Sequence, residues 1–397
     1  MSPPAERRAL PTAVIAALPL LLLAALLALL KFYDPTRAFQ ASFPPIEELT
    51  LQRVVLRSGE IEVHVVNGGP QPVTVAQVQV DEAYWEHRIE PGRVIPRLGR
   101  ATVRIPYPWV AGETHVVKLL SSTGLAFERE IPVAVESPKP SLQFLLLFAL
   151  LGLYVGVIPV ALGLIWFPVL QRLNERWLDF FLCLTLGLLV FLGIDALEES
   201  FDVAASVPGV FQGTGLLALG LLGSFALLTA LEKSWVGNRA GTTETARLPL
   251  AYMVAVGIGL HNLSEGLAVG AAYTLGDIAL GTLLVVGFTL HNTTEGLAIV
   301  APIARSAVGL RHLVLLGAVG GIPTIFGAWI GGFTYSAVAA LLFLAIGAGA
   351  IFQVVVQIGS GMAAGPRGMQ GLLTFPNVAG FLAGFLIMYG TGLLVAA

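Results

Sequence analysis

Beyond residue 140 the chain is a series of apolar runs, each long enough to cross a hydrocarbon layer of about 30 Å as a helix of about 20 residues. Eight are readable: 143–169, 177–198, 210–231, 249–273, 278–303, 312–333, 337–361 and 371–395. In hydrocarbon a backbone must satisfy its own hydrogen bonds, so such a run has one local solution, the α-helix. Charge follows the same division. Residues 141–397 hold 19 of the 47 Asp, Glu, Lys and Arg residues, and residues 1–140 hold the other 28. Only 12% of the whole chain is charged and its net charge is −3. That excludes a disordered chain, an ordinary soluble enzyme and a nucleic-acid binder, which needs a basic surplus for phosphates. The single cysteine, Cys183, excludes a disulfide framework and any Cys-cluster zinc site. It reads as a small apolar residue inside a helix.

Two segments precede the apolar series. Residues 1–34 comprise a tip with Arg7 and Arg8 and an apolar run at 12–30, TAVIAALPLLLLAALLALL. The run exceeds the usual core of a signal peptide, which favours an uncleaved membrane anchor over a cleaved signal. Residues 35–140 read as an exported β domain. GEIEVHVV, VTVAQVQV, ATVRIPYP and LAFEREIPVAV alternate apolar and polar residues at period two, with Gly and Pro turns between them. Short strands at this density predict an immunoglobulin-like sandwich. His64, His87 and His115 fall in separate strands without ligand spacing and read as solvated strand histidines.

The connections orient the series. With the β domain outside, the inner loops carry Arg172, Arg176, Lys233, Arg239, Arg247, Arg305, Arg311 and Arg367, and the outer loops between spans carry no Lys or Arg. Arg7 and Arg8 also fall inside. This is the distribution that the positive-inside rule asks for. His312, beside Arg311, reads as interfacial.

Ionisable groups within apolar runs are costly and mark functional positions. The fourth run contains GIGLHNLSEGLAVGAA (257–272) and the fifth GFTLHNTTEGLAIVAP (287–302), one His-Asn-x-x-Glu-Gly-Leu-Ala core repeated at an offset of 30 residues. His261 and Glu265 are four residues apart, as are His291 and Glu295, so each pair shares a helix face near the middle of its span. Consecutive spans are antiparallel, so the four side chains can converge at the midplane. Two imidazoles and two carboxylates suit zinc, iron, cobalt or manganese better than calcium or magnesium. The carboxylates also offset the charge of a dication in a low-dielectric site. The alternative is a pair of interhelical His–Glu hydrogen bonds. Gly257, Gly266, Gly270 and Gly287 predict close approach of the two motif helices.

The doubled HNxxEG motif resembles that of the ZIP (Zrt/Irt-like) family of divalent metal transporters, and the eight-span layout of residues 141–397 is similar to that family's. The resemblance implies a membrane all-α fold: an eight-helix ZIP-like bundle, here preceded by one N-terminal transmembrane helix and an extracytoplasmic immunoglobulin-like β-sandwich. It implies His261, Glu265, His291 and Glu295 as metal ligands, with Asn262 and Asn292 at positions that can line a second site. Ser264 and Thr294 stand where many relatives have Pro. In the sixth run, GGIPTIFGAWIG (320–331), Thr324 stands where relatives with two metals have Glu. One well-formed metal site is therefore expected.

Gln353 and Gln357, one turn apart in the seventh run, either line an inner pathway or join helices by hydrogen bonds. Asp195, Glu198, Glu199 and Asp202 lie at the outer end of the second run, where acids would concentrate cations. Asp195, Glu198 and Glu199 are the candidate access residues. The expected function is transport of a divalent cation, Zn²⁺ first, into the cytoplasm by alternating access. No catalytic residue or prosthetic group is assigned, and the metal is substrate. The alternatives are a membrane-embedded metallohydrolase and a metal sensor signalling through the outer domain. The first lacks an HExxH motif and an evident general base. Expected surroundings are the lipid bilayer of a cell membrane, with residues 35–140 and the C-terminus extracytoplasmic and no nucleic acid. The β domain has three open roles: dimer contacts (a homodimer), metal collection or docking of a partner.

Overall fold

The computed structural model describes residues 12–32, 46–236, 244–363 and 368–396. Arg7, Arg8, Arg239 and Arg367 lie outside the described residues. The chain divides between Ile46 and Glu47 into two units. In the first, α1 (Thr12–Phe32) is a helix whose stretch Ala17–Leu29 is apolar. In the second, the β region and the remaining helices form one unit.

The β region is a two-sheet, sandwich-like arrangement. One sheet has the order β1 (Leu49–Arg57), β2 (Glu60–Asn67), β7 (Arg100–Ile105), β5 (Arg88–Glu90). The other runs β4 (Ala83–Tyr84), β3 (Val73–Val80), β8 (His115–Ser121), β9 (Ala126–Ile131), with β6 (Val94–Ile95) pairing to β3. Period-two alternation does what it predicts. Ile61, Val63 and Val65 of β2 point inward with Val73, Val75, Val103, Val117 and Leu119. On the outer face Glu62 stands opposite Arg104, and the Arg104 Nη1 donates to its carboxylate at 2.7 Å.

The histidines depart from expectation. His115 is buried, not solvated, because the two-residue turn Asp81–Glu82 aims a carboxylate at it. Both turn residues have positive φ, as a tight β3–β4 hairpin requires. Asp81 Oδ2 accepts from His115 Nδ1 and from the Tyr107 hydroxyl, each at 2.7 Å, and Oδ1 accepts from the Val116 N–H at 2.9 Å. Partial burial works against the charge of Asp81, but these three donors outweigh it and hold the carboxyl below its ordinary range. Burial and the bond to Asp81 push Tyr107 up to about 12. His64 is half-buried against Thr102 Oγ1 at 3.2 Å, and His87 Nδ1 lies 3.1 Å from the Trp85 carbonyl. Asp81→Ala should strip His115 of its partner and destabilise the β region by about 1–3 kcal/mol. Faster hydrogen exchange at the amides of β8 would report it. Because Asp81 is depressed, its contribution is complete above the ordinary carboxylate range and is lost as pH falls through the lowered value. Wild type should therefore approach the Asp81→Ala exchange rates in acid.

The helical region begins with a broken span. It consists of α2 (Leu142–Gly152), a π-helical turn (Leu153–Val157), α3 (Ile158–Leu164) and α4 (Phe167–Leu170). There follow α5 (Glu175–Ser206), α6 (Gly213–Val236), α7 (Glu244–Thr274), α8 (Ile278–Val300), α9 (Leu310–Gly321), α10 (Pro323–Thr334), α11 (Ala337–Ala363), α12 (Gly368–Leu372) and α13 (Phe375–Ala396). Among the described residues, seven segments are long and apolar enough to cross a membrane: Leu142–Leu170, Glu175–Ser206, Gly209–Ser234, Ile278–Ile303, Leu310–Thr334, Ala337–Ala363 and Phe375–Leu393. The eighth expected span, 249–273, is present as the 31-residue α7 but falls short in apolarity. The reason is its content: His261, Asn262, Ser264 and Glu265 dilute the run, and all four are buried against protein.

Connections alternate between two ends. Three of them meet the β region. The Gly209 N–H donates to Glu48 Oε1 at 2.8 Å, Arg53 Nη1 donates to the Phe333 carbonyl at 2.8 Å, and Gly276 lies against Val133. At the other end Arg305 pairs loosely with Glu175 at 3.8 Å, and Gln171 Nε2 reaches the Ser306 carbonyl at 3.3 Å. The described inner cations Arg172, Arg176, Lys233, Arg247, Arg305 and Arg311 lie at or beside this second set of connections.

Candidate functional site

Proline sets the local geometry of the site. Pro159 has no N–H, so the Val155 carbonyl four residues earlier loses its helical donor, and the first span passes through its π turn there. The side chain of Asn292 takes up that carbonyl, its Nδ2 donating to Val155 O at 3.0 Å. The sixth span also breaks at a proline, between α9 and α10 at Ile322–Pro323, without a π turn. Here Asn262 Nδ2 donates to the Gly320 carbonyl at 3.0 Å. The two asparagines of the repeated motif thus dock α8 and α7 onto the two proline-broken spans.

Packing then brings the backbones close. A Cβ on Gly266 would lie 2.0 Å from the Thr324 carbonyl oxygen, and one on Gly270 would lie 2.3 Å from that of Ala328. These glycines seat α7 against α10, and Gly257 faces Val354 and Ala350 of α11. The expectation that they join the two motif helices is corrected. On α8 the close approach is at Gly296, against Val160 and Gly163 of α3. Gly287 is buried on α8.

These contacts converge three of the four predicted ligand side chains in a buried cluster. His261, Glu265 and His291 each offer a ligand atom, and these atoms lie within 4.8 Å of one another. Glu265 is the hub. Its Oε1 pairs with His261 Nε2 at 3.1 Å and with His291 Nε2, and its Oε2 accepts from Asn292 Nδ2 at 2.8 Å. The repeat is therefore not used symmetrically. Glu265 serves both histidines, and the second within-helix pair, His291–Glu295, does not form. Glu295 is buried with neither carboxylate oxygen hydrogen-bonded. The same holds for Oδ1 of Asn262 and Asn292 and for Oγ1 of Thr324, which packs on Gly156. Ser264 Oγ donates to the His261 carbonyl at 2.6 Å, and Thr294 Oγ1 donates to that of His291 at 2.6 Å.

The other sequence-predicted positions lie away from this hub. Gln353 is buried and donates to Glu232 Oε2 at 2.9 Å, tying α11 to α6, while its Oε1 and that of Gln357 have no partner. Glu232 is a polar contact that sequence reasoning missed. Its only signal is an acid within the last turns of an apolar helix, beside Lys233. Asp195 and Glu198 are exposed on α5, and Glu199 faces a cavity beneath the β region. Asp195 and Glu199 are near enough for their charges to act on His261. Cys183 is free and buried in α5, and His312 Nδ1 lies 3.0 Å from the Tyr252 hydroxyl.

No protein-family profile matches this sequence, and no curated protein matches it.

Proposed function

We propose that the chain moves divalent transition-metal cations across a membrane through the site built on His261, Glu265 and His291, as the ZIP-type transporters that its doubled motif resembles do. One observation carries the reading. The site has a surplus of buried acceptors without donors: both oxygens of Glu295 and the Oδ1 atoms of Asn262 and Asn292, beside a His–Glu–His cluster. A buried carboxylate left without a partner is expensive. A dication offsets that cost for several acceptors at once. Imidazole in the set favours Zn²⁺, with Fe²⁺, Mn²⁺ and Co²⁺ behind it, over Ca²⁺ or Mg²⁺. Thr324 in place of a third acid argues for a single fully neutralised metal.

In this reading the β region and the C-terminus are extracytoplasmic in a cell membrane, the described loop cations are inside, and the metal moves inward. The proline-broken first and sixth spans, held by Asn292 and Asn262, move with α7 and α8 as one body that exposes the site to either side in turn. The remaining helices form the frame.

The test is flux. Purified chain in liposomes loaded with a zinc-reporting dye should show saturable Zn²⁺ uptake that empty liposomes lack. Metal binding without flux would instead favour a sensor, and zinc-dependent hydrolytic activity without flux an enzyme.

A further inference from the structure

Beneath the β region lies a cavity of about 340 Å³ whose walls come from both parts of the unit. The strands and the segment after β9 contribute one side, and α5, α7, α8 and α11 contribute the other. The charged residues along its lining are Glu199 of α5, Asp277 before α8, and Arg129 and Glu130 of β9; Arg129 shares the inward face of the strand with Phe127 and Ile131, so the Glu130 side chain points to the opposite face. Ser264, one residue from Glu265, also lines it, so the cavity reaches the helix turn that carries the metal ligands. Tyr335 stands on its wall and feels the charges of both Arg129 and Glu199. Arg129 is held in place by β1, its Nη1 donating to the Leu51 carbonyl at 3.3 Å.

We infer that the β region is one wall of the antechamber through which the cation reaches the site, and that Arg129 sets how readily a dication occupies it. The inference rests on the transport reading above. Glu199 and Asp277 outnumber the single guanidinium and give the chamber a net negative lining, which concentrates cations. Arg129 opposes this, and it repels a dication twice as strongly as a monovalent ion at the same distance. The β region thereby acquires a specific task that neither dimer contact nor partner docking would require. An arginine fixed to β1 limits filling of the chamber, and Glu199 of α5 favours it.

The experiment is the zinc dependence of initial uptake in proteoliposomes at low salt for wild type, Arg129→Gln, Arg129→Lys and Glu199→Gln. Arg129→Gln should lower KM about three- to tenfold and Glu199→Gln should raise it by a similar factor, with maximal rates nearly unchanged. Arg129→Lys should match wild type. Both shifts should shrink as ionic strength rises. A merely structural Arg129 would instead lower the maximal rate in the Gln and Lys variants alike. If Arg129→Gln fails to fold, Glu199→Gln decides alone, its side chain being exposed on α5. Wild-type flux with KM unchanged in the variants, or moved in one common direction, overturns the antechamber and leaves the transport reading standing. Absence of flux in wild type overturns the transport reading itself.

Discussion

Glu265→Gln should reduce zinc uptake to background in a chain that still folds. Glu265 is the one side chain that touches both motif histidines, and its second oxygen holds Asn292. Glutamine keeps the shape and one acceptor, and Asn292 keeps its bond to the Val155 carbonyl, so the proline-broken span stays docked. What disappears is a negative charge in a dry site. A dication facing a single remaining carboxylate, Glu295, is left with uncompensated charge, and desolvating it becomes unfavourable. A loss of at least about 100-fold in affinity, near 2.7 kcal/mol, is expected. Isothermal titration with Zn²⁺ and uptake in proteoliposomes read it, and size-exclusion behaviour reads folding. The asymmetry of the site adds a sharper comparison. Glu295→Gln leaves the His–Glu–His cluster intact and should cost less than Glu265→Gln. Equal losses would point to a symmetric four-ligand site, and uptake within twofold of wild type for Glu265→Gln would remove the site altogether.

Gly266→Ala should be nearly as damaging, by a different route. A single methyl group there meets the Thr324 carbonyl oxygen at 2.0 Å and its carbon at 2.8 Å, and both are backbone atoms that cannot rotate aside. The facing helix is equally committed: a Cβ on Gly327 would lie 2.0 Å from the Leu263 carbonyl oxygen, and one on Gly331 would lie 2.0 Å from that of Leu267. Relief requires α7 and α10 to separate. Overpacking of this kind costs about 1–3 kcal/mol, and more where several contacts open together. Since Gly266 adjoins Glu265, separation also displaces the hub carboxylate, so thermal stability in detergent and zinc uptake should fall together. Gly223→Ala on α6 is the control, because a Cβ there meets nothing within 4 Å. It should leave both measurements unchanged. A Gly266→Ala variant with wild-type melting would mean that the two helices cross less tightly than the structure shows.

Much of the architecture was readable along the chain because it is local. Strands β2, β3, β7 and β9 fall where the alternating segments lie, since period two and a half-buried sheet are the same constraint. The eight helical segments follow the apolar runs, most of them within about five residues, while α5 continues eight residues past its run to Ser206. The exception in apolarity, α7, is the helix whose polar residues mark the site, and it is tolerated because its neighbours cover it. The three residues that the fold gathers, His261, Glu265 and His291, were among those legible in the sequence, since repeated ionisable groups in apolar surroundings stand out. The pairing among them was not. Spacing of four predicts two equivalent His–Glu pairs, and the fold makes one glutamate serve two helices.

The sequence alone determined which segments become helix or strand and which side chains are too costly to bury without purpose. Both properties depend on neighbours three, four or two residues away. The tertiary structure decided everything that depends on contacts between distant segments. It made the motif asparagines partners of the Val155 carbonyl released by Pro159 and of the Gly320 carbonyl beside the break at Pro323, and it turned the glycines of α7 toward α10 and α11 instead of α8. It also set the β region over the cavity that reaches Ser264. No periodicity encodes these, because each depends on which backbone atoms the packing of remote helices leaves bare.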